Sequence, residues 1–180
     1  MTRWLLVGCA LLSLAPAPLR AEDRGDLERR VKAAFLYKFA GYVEWPPACF
    51  PDAATPVHIA VLGDERLRSE LASMVLGHTV NGRPVSVTAY SEDSLEGVHV
   101  LFVGRSEAAR LGKLSDGARR RSVLLVSDVE GALDQGSVIG FVLNRRRVRF
   151  DISLEAASRS GLTLSSRLLS VARTVVTVGS

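Results

Sequence analysis

VHIAVLGDERLRSELASMV (residues 57–75) opens with a six-residue run that is apolar apart from His58, pauses at Gly63-Asp64, and resumes with charged residues. The run 57–62 reads as a short strand. Asp64 is a helix-capping residue, and Leu67, Leu71 and Val75 then recur as the apolar face of an amphipathic helix. Strand, glycine, cap and helix together open a βα unit. The opening returns twice: VHVLFV (residues 98–103) precedes Gly104-Arg105-Ser106-Glu107, and residues 122–126 precede Ser127-Asp128. Strands alternating with helices predict an α/β fold: a single domain with a mostly parallel sheet and helices on both faces.

Further along, the pattern changes. Residues 138–143 and 148–152 read as strands joined across 144–147, an antiparallel C-terminal hairpin. In its second strand Val148, Phe150 and Ile152 face one way and Arg147, Arg149 and Asp151 the other. Residues 154–159 read as a short helix. Residues 164–175 read as another, with Leu164, Leu168 and Ala172 as its stripe. Between the first two βα units, 77–84 is rich in turn residues, with Asn81-Gly82 the strongest signal. Residues 85–89 follow as a strand with Val85, Val87 and Ala89 inward.

Upstream lies VKAAFLYKFAGYVEWPP (residues 31–47). Leu27, Val31, Phe35, Phe39 and Val43 recur every four residues and predict one apolar helical stripe. Pro46 and Pro47 end the helix, because neither can donate the next backbone hydrogen bond. Tyr37, Tyr42 and Trp45 surround the stripe. Spacing admits two readings: a helix that covers one sheet face, or one whose aromatic end also meets a partner.

Residues 1–21 carry the marks of a secretory signal, with Arg3 before an apolar run and small residues before Ala21. The expected organisation is a signal peptide over 1–21 and one domain over 22–180, released into the periplasm. A lipoprotein-like Leu6-Val7-Gly8-Cys9 is the alternative processing site. Without Arg3 and Arg20 the formal charge falls from +4 to +2, which gives no reason to expect nucleic acid as a partner. Cys49 would be the single cysteine after cleavage, so no intrachain disulfide is expected. It is either buried or open to an intermolecular bridge.

In an open α/β sheet the three βα turns gather at the carboxyl ends of the strands, where ligands usually bind. Asp64, Ser106 and Asp128 are therefore candidate crevice residues, although capping alone accounts for all three. His58, His78 and His99 have no second ligand at metal-binding spacing, so neither metal nor cofactor is expected. No local nucleophile–base pair supports catalysis. Arg119-Arg120-Arg121 and Arg145-Arg146-Arg147 are solvated clusters, or else they face an acidic partner or anionic lipid.

Five blocks go beyond pattern: KAAFLYKFAGYVEWP (32–46), IAVLGD (59–64), HVLFV (99–103), SVLLVSD (122–128) and GSVIGFVLNRRRVRFDISLEAASRSGLTLSSRLLSVA (136–172). In content and order they resemble the YfiR-like family across residues 29–175. That resemblance implies a periplasmic regulator rather than an enzyme. The family's best-known member represses an inner-membrane diguanylate cyclase by binding its periplasmic region. It implies a homodimer with a compact α/β fold. The partner would be a diguanylate cyclase or sensor kinase with a periplasmic region, so that cyclic-di-GMP output and biofilm formation depend on the periplasm. Redox-responsive members carry central and late cysteines, which this chain lacks. Phe35, Tyr37, Tyr42 and Trp45 are the candidate partner contacts, inferred from their chemistry as interface anchors. A periplasmic small-ligand sensor or carrier using Asp64, Ser106 and Asp128 is the alternative.

Overall fold

Alternation along the central strands sorts their side chains into two cores. The computed structural model describes residues 21–90 and 94–177; the expected secretory signal lies outside them, apart from Ala21. In chain order the elements are α1 (Ala21–Tyr42), β1 (Val43–Glu44), β2 (Val57–Leu62), α2 (Glu65–Val75), β3 (Thr79–Val80), β4 (Arg83–Ala89), β5 (Val100–Val103) and α3 (Ala108–Arg120). They continue with β6 (Leu124–Ser127), β7 (Ile139–Asn144), β8 (Arg147–Ser153), α4 (Leu154–Arg159), β9 (Thr163–Leu164), α5 (Ser166–Val171) and β10 (Thr174–Val176).

Eight strands form one sheet in the order β10-β8-β7-β6-β5-β2-β4-β3. Strands β4, β2, β5, β6 and β7 run parallel, β8 pairs antiparallel with β7, and β10 lies parallel to β8. The mostly parallel sheet and the antiparallel hairpin expected from the sequence are both present. On one face Ile59, Val61, Val100, Phe102, Leu124 and Val126 pack under α1 and α2. On the other, Ala60, Leu62, Leu101, Val103 and Leu125 meet Leu111, Leu114 and Ala118 of α3. Strands buried on both sides read as continuous apolar runs, which explains VHIAVL and VLFV. Asp64 caps α2 as expected, accepting the Leu67 N–H at 2.9 Å.

Several expectations need correction. The straight stripe on α1 drifts, because a four-residue step advances about 40° more than a full turn. The buried face is Lys32, Ala33, Leu36, Phe39 and Ala40, while Leu27 is 61% exposed. The prolines do not end α1. It stops at Tyr42, where Val43 and Glu44 pair with Leu164 and Thr163 of β9 and the Ser165 N–H donates to the Tyr42 carbonyl. The predicted helix over 164–175 breaks into β9, α5 and β10. Thr174, Val175 and Val176 are β-branched, and they find a ladder on β8. Ala89 is exposed rather than inward, since β4 is flanked outward only by the two-residue β3.

The third βα unit has no helix. Residues 129–136 instead wind through tight turns, with Gly131 and Gly136 at φ 67° and 92°. A backbone in that region does not propagate a right-handed helix. Ser127 is buried, its hydroxyl donating to the Val103 carbonyl at 2.7 Å and accepting the Val129 N–H. Among the described residues, one sheet face beyond β6 is therefore left without a covering helix.

Candidate functional site

The chain moves outward from β2 in both directions, first to β4 and then to β5, so the topological switch lies between β2 and β5. Gly63 and Gly104 meet there. The Gly104 N–H donates to the Leu62 carbonyl at 2.7 Å, and a Cβ on Gly104 would sit 3.0 Å from the Gly63 oxygen. The Ser106 hydroxyl donates to that Gly63 carbonyl at 2.9 Å. Asp128 accepts the Arg105 N–H at 2.8 Å, the Lys32 ammonium at 2.6 Å and the Arg105 guanidinium at 3.2 Å. Glu28 closes the cluster, 2.5 Å from Lys32 and 3.5 Å from Arg105.

Of the three expected crevice residues, the structure brings Ser106 and Asp128 to the same switch point. Asp64 turns away to its own helix. The crevice is occupied from within: the Asp128 carboxylate sits on a free backbone N–H, where an anionic ligand would otherwise be held. Its countercharge, Lys32, comes from α1 and is only 5% exposed at the side chain. Lys32 is the residue that sequence reasoning missed. Two signals point to it: a carboxylate four residues earlier at Glu28, and a place on the same helical face as Leu36 and Phe39.

The four aromatic candidates separate. Phe35 is half-buried against the core, its ring 5.7, 6.1 and 5.2 Å from Phe39, Phe141 and Phe150. Tyr37 lies on another side of α1, its hydroxyl donating to the Thr79 carbonyl at 3.0 Å and its ring edge-on to His78. Tyr42 is half-buried beside the core. Trp45 sits at the amino ends of the strands, edge-on to Phe50 and His99 at 6.2 and 6.0 Å.

Around Trp45 a second polar cluster is assembled. The His99 ring stacks on Phe50 at 4.3 Å, and the Arg83 guanidinium lies 4.2 Å over the Phe50 ring. His99 Nδ1 accepts the His58 N–H at 3.2 Å, so Nε2 carries the proton and donates to the Cys49 carbonyl at 3.0 Å. His58 in turn shares a 2.7 Å hydrogen bond with the Thr88 hydroxyl. Burial holds the His99 pKa below its ordinary value, with the His58 and Arg83 charges adding and the Cys49 carbonyl opposing. Burial also lowers the His58 pKa, opposed by a hydrogen bond that the ring donates to the Gly97 backbone. Burial raises the half-buried, free Cys49 thiol, with Ser122 opposing.

Both histidines are thus neutral in the fold and protonate more readily once unfolded. The unfolded chain binds more protons below about pH 6.5, so stability is full above that value and falls as pH drops toward the folded pKa values. Urea denaturation between about pH 8 and pH 5 is expected to show this loss, and a His58→Gln/His99→Gln variant to flatten the slope. A wild-type midpoint unchanged across the window would show that neither ring is held neutral.

The comparisons with known proteins address the chain as a whole. The YfiR/HmsC-like family model matches residues 29–173. A crystal structure of a conserved domain protein from Vibrio cholerae O1 biovar eltor str. N16961 is similar in fold, with a TM-score of 0.57 at 9% identity. That similarity covers 82% of this chain and 60% of the Vibrio chain.

Proposed function

Because the chain belongs to the YfiR/HmsC-like family, we propose that it is a periplasmic regulatory protein that binds and represses an inner-membrane signalling protein. The partner in this reading is a diguanylate cyclase, or a sensor kinase, with a periplasmic region. The carrying observation is the family match over residues 29–173. It takes in most of the helix that covers the sheet and the C-terminal hairpin with α4, β9 and α5. A binding role is supported by how the polar groups are used. Ser106 is held by a backbone carbonyl, Asp128 by two cations and an N–H, and His99 through both ring nitrogens.

All four aromatic candidates are half-buried; Tyr37, Tyr42 and Trp45 are the proposed contacts with the partner, while the Phe35 ring is engaged with Phe39, Phe141 and Phe150. The expected result of deleting the gene is a rise in cellular cyclic-di-GMP, reversed by the wild-type protein. Tyr42→Ala is expected to fold and reach the periplasm yet restore repression several-fold less well, because tyrosine at an interface centre contributes disproportionately. Unchanged cyclic-di-GMP on deletion would overturn the cyclase reading. Full repression by the Tyr42 variant would remove that residue from the contact while leaving the reading in place.

A further inference from the structure

The β7–β8 hairpin carries cations that make no ion pair within the fold. Arg145, Arg146, Arg147 and Arg149 are all exposed, and none has a carboxylate partner among the described residues. The formal charge of the whole chain is +4, so this one hairpin carries as much as the total and the remaining charges cancel. Arg145 and Arg146 also form a turn with φ at 46° and 65°. Asn-Gly suits such a turn, and arginine at both places is strained. Strain kept at a charged tip points to a use for that charge outside the chain. Apolar surface stands beside it: Leu143, paired with Val148 at the base of the tip, is 52% exposed.

The place of the tip in the fold says what the charge meets. Strand β7 runs parallel to β6, so the tip projects from the carboxyl end of the sheet. The start of α1 lies at that end too, where Glu28 and Lys32 reach Arg105 and Asp128 just past β5 and β6. Leu27, 61% exposed, belongs to the same start. The signal-like residues 1–20, which would lead the chain to a membrane, join it here. At this end the carboxylates Glu28 and Asp128 are neutralised by Lys32 and Arg105. Glu130, on the wall of the hollow beside Leu143, is exposed and opposes an anionic surface.

We infer that this end of the molecule docks on an anionic phospholipid surface, the tip arginines binding headgroup phosphates and Leu143 entering the interface. A guanidinium meets a phosphate through two parallel N–H donors, which gives the contact direction as well as charge. Leucine at the foot of the tip adds apolar burial below the headgroups. The inference goes beyond the proposed function, since it places the protein on the membrane that holds its partner. Trp45, at the amino ends of the strands, is then turned away from the lipid and toward a partner domain above it.

Co-sedimentation with vesicles, using the protein purified after export and processing, tests this. The wild type is expected to bind vesicles of phosphatidylcholine and phosphatidylglycerol in equal parts, to leave them as salt is raised, and to ignore phosphatidylcholine alone. Each arginine at an anionic surface contributes roughly a fivefold factor in affinity, so Arg145→Gln/Arg146→Gln/Arg147→Gln is expected to bind about 100-fold more weakly. Arg120 and Arg121 are exposed at the far end of α3, on the opposite side of the sheet's length. Arg120→Gln/Arg121→Gln is expected to change binding by less than about twofold. Glu130→Gln is expected to strengthen it, and Leu143→Gln to weaken it several-fold without altering the salt slope. Arg145→Asn/Arg146→Gly is expected to melt higher while binding at least about tenfold more weakly, which separates docking from folding. Equal losses from the two glutamine sets would reduce the attraction to overall charge and overturn the proposal. So would a wild type that ignores phosphatidylglycerol at low salt, which would leave the tip to an acidic protein surface. No cyclase is present in this experiment, so either failure leaves the proposed function standing.

Discussion

Phe39→Ala is expected to cost about 3–5 kcal/mol, as large aromatic truncations in close-packed cores do. Phe39 is 1% exposed, and its ring lies 5.7 Å from Phe35, 5.7 Å from Phe141 and 4.9 Å from Phe150. Two of these neighbours belong to the β7–β8 hairpin and one to α1 itself, so the ring joins the N-terminal helix to the C-terminal half of the sheet. Removing it leaves a cavity bounded by side chains from three elements, which cannot all collapse inward together. Edge-on and offset aromatic pairs add about 0.5–1.5 kcal/mol beyond area alone. Against a total stability of about 5–15 kcal/mol, the loss leaves a marginal fold. Leu27→Ala on the same helix is expected to change stability by less than about 0.5 kcal/mol, because Leu27 is exposed. Urea midpoints at constant slope measure both. Equal losses at the two positions would mean that the straight four-residue stripe, rather than the drifting one, is the buried face.

The contrast between Phe39 and Leu27 also marks what a sequence conveys here. The βα openings are legible because strand, glycine and cap are local facts, decided within a few residues of each other. Gly63-Asp64 needs no distant partner to make a turn and a cap. The hairpin is legible for the same reason, its alternation and its turn lying side by side. Where a distant segment decides, the reading fails. Tyr42 ends α1 because residues 163–165 pair beside it, and a nearby proline pair gives a convincing but incorrect alternative cause. Residues 164–175 carry a helical stripe, yet the free edge of β8 draws Thr174–Val176 into the sheet. Ser127-Asp128 looks like a cap, but the glycines at 131 and 136 turn the chain away from a helix.

The candidate crevice shows the same division. That Ser106 and Asp128 would be neighbours follows from their places after β5 and β6, which the pattern supplied. That an ammonium group from α1 would fill the space between them depends on the angle at which that helix crosses the sheet, and no spacing records it. Nearness in sequence groups the aromatic residues around α1. In three dimensions, successive helical positions point in different directions, so Phe35, Tyr37 and Trp45 end in three separate environments.

Lys32→Met is expected to be nearly as damaging as the loss of Phe39, at about 3 kcal/mol, for an electrostatic reason. The side chains of Lys32 and Asp128 are 5% and 7% exposed and lie 2.6 Å apart. Methionine matches the lysine stem in bulk, so packing changes little, but Asp128 is left with Arg105 as its only cation among the described residues. A buried carboxylate that loses a partner carries a desolvation cost it cannot recover from solvent. Adding Asp128→Asn to Lys32→Met removes that charge while leaving an oxygen to accept the Arg105 N–H. The double variant is therefore expected to be more stable than the Lys32→Met single variant, with a coupling of about 1–3 kcal/mol in the cycle. The exposed Arg68–Glu65 pair, 2.5 Å apart on α2, provides the control. Breaking it with Glu65→Gln is expected to change stability by less than about 1 kcal/mol and to lose even that in salt. Additive effects of Lys32→Met and Asp128→Asn would show that the two groups do not depend on one another. In that case α1 would be held on the sheet by its apolar face alone.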